Sequence, residues 1–329
     1  MTRRTVHLLF AAVAAVGLFV SARVAAQQQN FDAVQVRVLK AQGNVYMLTG
    51  AGGNVTVQAG SDGVLVVDTQ YAEMSQKLLA AIRGISTGPI RYIIDTHVHG
   101  DHVGGNENIK KAGATIAGGN VSGDIRDAAD GAQIWAHDNV LLRMSDAKRT
   151  PAIPTAAWPT STFTGKDKKL FFNGEGVHII HEPAAHTDGD SIVFFRRSDV
   201  ISTGDIFNTT NYPVIDVASG GTINGIIAGV NHVIDLIIPV YGQEGGTMVI
   251  PGHGRLSDLG DVLNYREMAT IVRDRVQDMK KKGMTLEQVK AAKATRDYDG
   301  VYATPGYTGD MFVEAVYRSL TSQAGARPR

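Results

Sequence analysis

Within the six residues 97–102 the chain carries four potential metal ligands, in the run Thr96-His97-Val98-His99-Gly100-Asp101-His102. A loop at the end of a strand can aim His97 and His99 at one cation while Asp101 and His102 turn toward a neighbouring one. Imidazole nitrogen and carboxylate oxygen suit zinc, and to a lesser degree iron or manganese. Zinc prefers four ligands, so more donors are needed, and each candidate follows a strand-like run. His186 lies in Ala185-His186-Thr187-Asp188-Gly189-Asp190, Asp205 in Thr203-Gly204-Asp205, and His253 in Pro251-Gly252-His253-Gly254. Glycine beside Asp205 and His253 allows close backbone approach. The sequence has no cysteine, so thiolate is removed as ligand and nucleophile, and core and metals must stabilise the fold without disulfides.

The elements that must hold these residues are β-rich. Apolar runs at 34–39, 45–48, 55–58 and 64–67, separated by glycine-containing turns, predict an antiparallel meander. Helical spacing follows over 72–84, then a buried strand at 91–95 that feeds the histidine-rich loop. Residues 103–144 read as mostly helical with a short strand near 114–116, and 145–164, with three prolines, as an ordered loop. Strands resume at 169–172, 177–181, 191–195, 200–203 and 247–250, with helices at 221–237, 256–282 and 310–322. Strands followed by helices occur twice, which suggests two sheets, each covered by helices.

Hydrophobic residues make up 43% and charged residues 19%, enough apolar content for a sizeable core. Residues 1–26 carry Arg3, Arg4 and Arg23, no acid, and an apolar run from 6 to 20 ending near Val24-Ala25-Ala26. This is the pattern of a secretory signal, so the expected organisation is a signal at 1–26 and one domain over 27–329, with a C-terminal helical extension from about 256. The expected location is the periplasm or the exterior, without stable membrane insertion after cleavage. Beyond the signal, 29 basic residues face 32 acidic ones. That balance gives no pull toward phosphate backbones, so a small-molecule substrate is expected rather than a nucleic acid.

The joint order and spacing of these motifs resembles the metallo-β-lactamase superfamily over roughly residues 34–260. The resemblance implies an αββα four-layer sandwich of two mainly antiparallel sheets, with a metal site at one edge between them. It implies that His97, His99 and His186 hold one metal, that Asp101, His102 and His253 hold a second, and that Asp205 bridges both. Asp68 matches the superfamily's first acidic position and would orient ligand loops, although a turn or helix-capping role fits it as well. Two zinc ions about 3.5–4 Å apart can activate a shared water for attack on a carbonyl or phosphoryl centre. Asp101 would orient that water or relay its proton.

Zinc β-lactamases with three histidines at the first metal carry Cys where this chain has Asp205, and Lys where it has Asn208; a second β-lactamase group lacks a bridging carboxylate. A bridging Asp resembles the glyoxalase II, lactonase and phosphodiesterase branches. The expected activity is therefore hydrolysis of an amide, ester, lactone or β-lactam bond. A phosphodiesterase and a mononuclear iron oxygenase of the persulfide dioxygenase type are the alternatives. Around the site, residues 50–54 are expected to form a mobile lip, as hairpins at this place do in relatives. Trp158 and Tyr212 are candidates for the cleft wall and Asp190 for support of His186. His178 and His181 are expected to be structural, and His137 and His232 to lie on helix surfaces.

Overall fold

The computed structural model describes residues 29–115, 131–237 and 245–322. The proposed signal lies outside them. In the first sheet the spatial order equals the chain order: β1 (Arg37–Gln42), β2 (Val45–Thr49), β3 (Val55–Gly60), β4 (Gly63–Val67), β5 (Ile90–Ile94), β6 (Gln133–His137) and β7 (Ser161–Phe163). The second sheet contains β8 (Asp167–Phe172), β9 (Glu175–His181), β10 (Ser191–Phe195), β11 (Val200–Ser202) and β12 (Met248–Ile250), ordered β12-β11-β10-β9-β8.

Side-chain alternation with period 2 explains the layers. In β4, Leu65 and Val67 enter a core between the sheets, while Val64 and Val66 enter a core on the outer face. Strands β10 to β12 divide in the same way. Val193, Val200 and Ile250 point to the inter-sheet core, and Ile192, Ile201 and Val249 point to the opposite face. Strands buried on both faces read as continuous apolar runs, which is why they are visible in sequence. Leu78 and Ile82 of α1 (Ser75–Ile85) cover the first sheet. Between α1 and the next long helix lie α2 (Gly100–Val103), α3 (Asn106–Lys111) and α4 (Asp138–Met144). The second sheet is covered by α5 (Ile223–Ile237) and α6 (Leu259–Lys281), against which α7 (Leu286–Ala291), α8 (Asp299–Tyr302) and α9 (Gly309–Ser322) gather.

Both sheets are mixed. The second is antiparallel except where β11 pairs with β12. The first is antiparallel from β1 to β4 and parallel from β4 to β7, because α1 carries the chain back over the sheet into β5. Two expectations need correction. Within the described part of 103–144 the strand lies at 133–137, whereas residues 114 and 115 are not in a strand. Strand β6 lies there, with Ile134 and Ala136 entering separate cores, and it runs into α4 without a loop. His137 ends that strand and accepts a hydrogen bond from Asn139 N (3.3 Å), which blurs the change of period. The loop at 145–164 ends in β7.

Parallel pairing has a consequence for the site. The C-terminal ends of β4 and β5, and those of β11 and β12, lie at one edge of the sandwich. There the sheets are joined by Ser191 N to Thr96 O (2.8 Å) and by Thr56 Oγ1 to Ser202 Oγ (3.0 Å). Among the described residues, no helix is long and apolar enough to cross a membrane.

Candidate metal centre

Every motif singled out for metal chemistry follows a strand at that edge. His97, His99, Asp101 and His102 follow β5, His186 follows β9, Asp205 follows β11 and His253 follows β12. Their side chains converge. His97, His99 and His186 offer ring nitrogens within 4.8 Å of one another, and so do the donors of Asp101, His102 and His253. Asp205 lies between the groups and presents one oxygen to each. Its Oδ2 is 4.0 Å from His97 Nε2 and 3.6 Å from His186 Nε2, and its Oδ1 is 3.2 Å from His102 Nε2 and 3.4 Å from His253 Nε2. Asp101 Oδ2 is 3.3 Å from His253 Nε2. Gly252 is required here, because a Cβ on it would stand 2.1 Å from Asp205 Oδ1.

The outer hydrogen bonds fix which ring nitrogen is bare. Thr96 donates its hydroxyl proton to Asp68 Oδ2 (2.7 Å), so its oxygen accepts from His97 Nδ1 (3.0 Å). His97 Nε2 then has no hydrogen, and it is buried with no hydrogen-bond partner. His102 Nδ1 donates to Asp68 (2.7 Å), His186 Nδ1 to the Val214 carbonyl (2.7 Å) and His99 Nε2 to Asp216 (3.0 Å). These bonds leave His99 Nδ1 and His186 Nε2 as bare nitrogens facing each other at 2.8 Å. Two lone pairs at that distance repel unless a cation or a proton lies between them. An orphaned buried nitrogen beside two opposed lone pairs fits a metal ion, and imidazole and carboxylate donors suit zinc.

Charge balance points the same way. Burial pushes Asp205 up, but His102 and His253 more than offset that and hold it well below the usual carboxylate range. Burial pushes His253 down, yet Asp205 and Asp101 carry it up to about 9. The carboxylates therefore demand positive charge at their centre. His97 is held well below the usual imidazole value by burial and by His102 and His186, so it remains a neutral donor.

Asp68 is 2% exposed and adopts φ +62°, a left-handed backbone uncommon for a residue with a Cβ. Thr96 N, the Thr96 hydroxyl and His102 Nδ1 all donate to its carboxylate. It meets His102 through the nitrogen remote from Asp205, so it orients the ring. The strained backbone is held in place by these three hydrogen bonds.

Neighbouring residues frame the site. In the 50–54 hairpin, Gly53 N donates to Asp101 O (3.0 Å) and Gln70 Nε2 to Gly53 O (2.7 Å). Tyr212 is fully buried, stacked on Phe312 with centroids 4.9 Å apart, and does not line a cleft. Trp158 packs beside Val98 and Val140 beneath the histidine loop, and its Nε1 donates to Ile153 O (3.0 Å). Asp190, which burial raises to about 6, accepts from Thr187 N and Oγ1 and holds the turn after His186 rather than the ring. His178 bonds Asp167 (2.6 Å). His137 is buried and stacks on His181 at 3.5 Å, whereas His232 is half-exposed and bonds Glu182. Asn208 is also buried; its amide donates to Tyr265 Oη (3.2 Å) and its oxygen accepts from Thr210 N and Asn211 N. Asp216, which orients His99 from 117 positions away, and the carbonyl of Val214 carry no local signal that reveals them.

A family model described as the metallo-beta-lactamase superfamily matches residues 48–265. Among solved structures, the chain is similar to the sec-alkylsulfatase Pisa1 from Pseudomonas sp., with TM-score 0.63 and 16% identity, covering 89% of this chain and 52% of that one. It is also similar to the DIM-1 metallo-beta-lactamase, with TM-score 0.53 and 16% identity over 72% of this chain and 98% of that one. A metallo-beta-lactamase from Pontibacter korlensis matches with TM-score 0.53 and 14% identity, over 72% and 99%. The chain thus spans about half the length of the alkylsulfatase, and at these identities the likeness is one of fold.

Proposed function

The chain belongs to the metallo-β-lactamase superfamily, and from that premise we propose that it is an exported binuclear zinc hydrolase of a carbonyl-centred bond. The observation that carries the reading is the placement of Asp205, with one oxygen toward His97 and His186 and the other toward His102 and His253. A second complete donor group at Asp101, His102 and His253 favours two ions over a single-iron oxygenase. When bound, the ion pair would lower the pKa of a shared water and polarise the oxygen of the bond to be cleaved.

The chain's own residues prepare that chemistry. Buried rings of His97, His102 and His186 form a rigid floor, while His99, His253 and Asp101 are partly exposed toward solvent. Asp101 is ionised at neutral pH: burial raises it, and His253 and His102 bring it below the ordinary value. An ionised carboxylate at the rim can accept a proton from the attacking water and orient it. Asn208 turns inward to Tyr265, so no cation at that position receives a β-lactam carboxylate. That favours esters, lactones and simple amides over β-lactams. The export reading rests on Arg3, Arg4, the apolar run from 6 to 20 and Val24-Ala25-Ala26.

The test is a parallel panel on zinc-loaded protein: a carboxylic ester, a lactone, a chromogenic β-lactam, a phosphodiester and a secondary alkyl sulfate. Turnover of a carbonyl substrate that chelator abolishes and zinc restores is expected. Undiminished turnover by metal-free protein, or turnover confined to the phosphodiester or sulfate, would remove the reading.

A further inference from the structure

The hairpin between β2 and β3 touches each member of one donor group. Gly53 N donates to Asp101 O (3.0 Å), and a Cβ on Gly52 would stand 2.5 Å from that same oxygen. The face of Gly53 lies against the His102 ring, where a Cβ would be 2.2 Å from Cε1 and 2.4 Å from Nε2. Asn54 grips the chain on both sides of His253. Its backbone N donates to Gly252 O (2.7 Å), and its amide donates to Pro251 O (2.8 Å) and Gly254 O (3.1 Å). Asn54 is 6% exposed and Gln70, whose Nε2 holds Gly53 O, is fully buried. The rings of His97, His99 and His186 are instead oriented by Thr96, Asp216 and Val214.

We propose that residues 52–54 position the second metal group selectively, with Asn54 as the positioning residue for His253. The inference rests on the two-metal reading above and adds an asymmetry to it. One group is braced by a hairpin tip that contributes no ligand, in addition to Asp68 on His102, and the other by side chains and a carbonyl without the hairpin. A buried amide bonded to carbonyls on both sides of His253 fixes the path of that loop, and with it the direction of the ring. Removing the amide leaves those two carbonyls without donors and frees the loop to move. Partners that orient ligands typically contribute about 10–100-fold in metal affinity.

The test is zinc titration of the metal-free full-length protein against a competing chromophoric chelator, with circular dichroism to verify folding. Wild type should bind in two steps. In Asn54→Ala one of the two steps should weaken by about 10–100-fold while the other is unchanged. Gly53→Ala, which presses on His102, should do the same and carries the test if Asn54→Ala does not fold. Both steps unchanged in a folded variant, or both weakened equally, would overturn the inference. A wild type that binds in one step only would be a different result, and would overturn the two-metal reading and this inference with it.

Discussion

Thr96 donates its hydroxyl proton to Asp68, and that bond decides which nitrogen of His97 is bare. The same logic runs through Asp68 to His102, Asp216 to His99 and Val214 O to His186, so each of these rings is set before any cation arrives. Thr96→Val keeps the shape and removes both bonds. It should weaken metal binding by about 10–100-fold, and Thr96→Ser should restore it, as read by titration. Asp101→Asn keeps a ligand oxygen but loses the proton acceptor. It should lower kcat by about 100-fold or more while binding metal, and an unchanged kcat would remove the proposed role. Four of the seven candidate donors were legible because histidine and aspartate rarely crowd together as they do at 97–102, and His186, Asp205 and His253 because their order and spacing resembles the superfamily. Their orienting partners were not, since Asp216 and Val214 are ordinary residues brought near by folding alone.

At the level of elements, the ligand loops are where they are because strands end there. The apolar runs of β4, β5, β9 and β10 disclosed those ends. Strand β6 escaped notice because His137 serves both as its last residue and as the cap of α4. Helix α5 is tied to the loop after β9 by His232 Nδ1, which donates to Glu182 Oε1 (2.5 Å). The Glu182 hydrogen bond raises His232 above 6.5 in the folded state despite the cost of burial. This contribution is therefore fully present below about pH 6.5 and is lost as pH rises through the folded value. Thermal melts should show a larger deficit for His232→Ala at about pH 6 than at about pH 9; an equal deficit at both would exclude the ion pair. The C-terminal helices also reach the site. Tyr307 Oη donates to Pro213 O (3.1 Å), and Tyr212 N donates to Tyr302 O (3.1 Å). Val214 and Asp216, which orient His186 and His99, lie in the loop so held.

Across the whole molecule, two mixed sheets are latched at both ends. At the ligand edge the Thr56–Ser202 and Thr96–Ser191 bonds join them. At the opposite end Glu175, 3% exposed, accepts from Gln58 Nε2 (2.7 Å), Ser198 Oγ (2.8 Å) and the backbone N of Arg197 and Ser198 (2.9 Å each). Glu175→Ala strands several buried donors and should cost about 3 kcal/mol or more in denaturant unfolding, without changing metal content in the folded fraction. Loss of metal from folded Glu175→Ala would show that the latch and the site are not separable. The layered architecture was readable from apolar strand runs followed by helices, twice along the chain, whereas the parallel half of the first sheet was not, because pairing direction depends on how α1 crosses. The most direct measurement of the central claim is anomalous diffraction at the zinc edge from crystals of the zinc-loaded protein. Two peaks about 3.5–4 Å apart are predicted, one beside His97, His99 and His186 and one beside Asp101, His102 and His253, with Asp205 reaching both. A single peak, or peaks away from Asp205, would contradict the account.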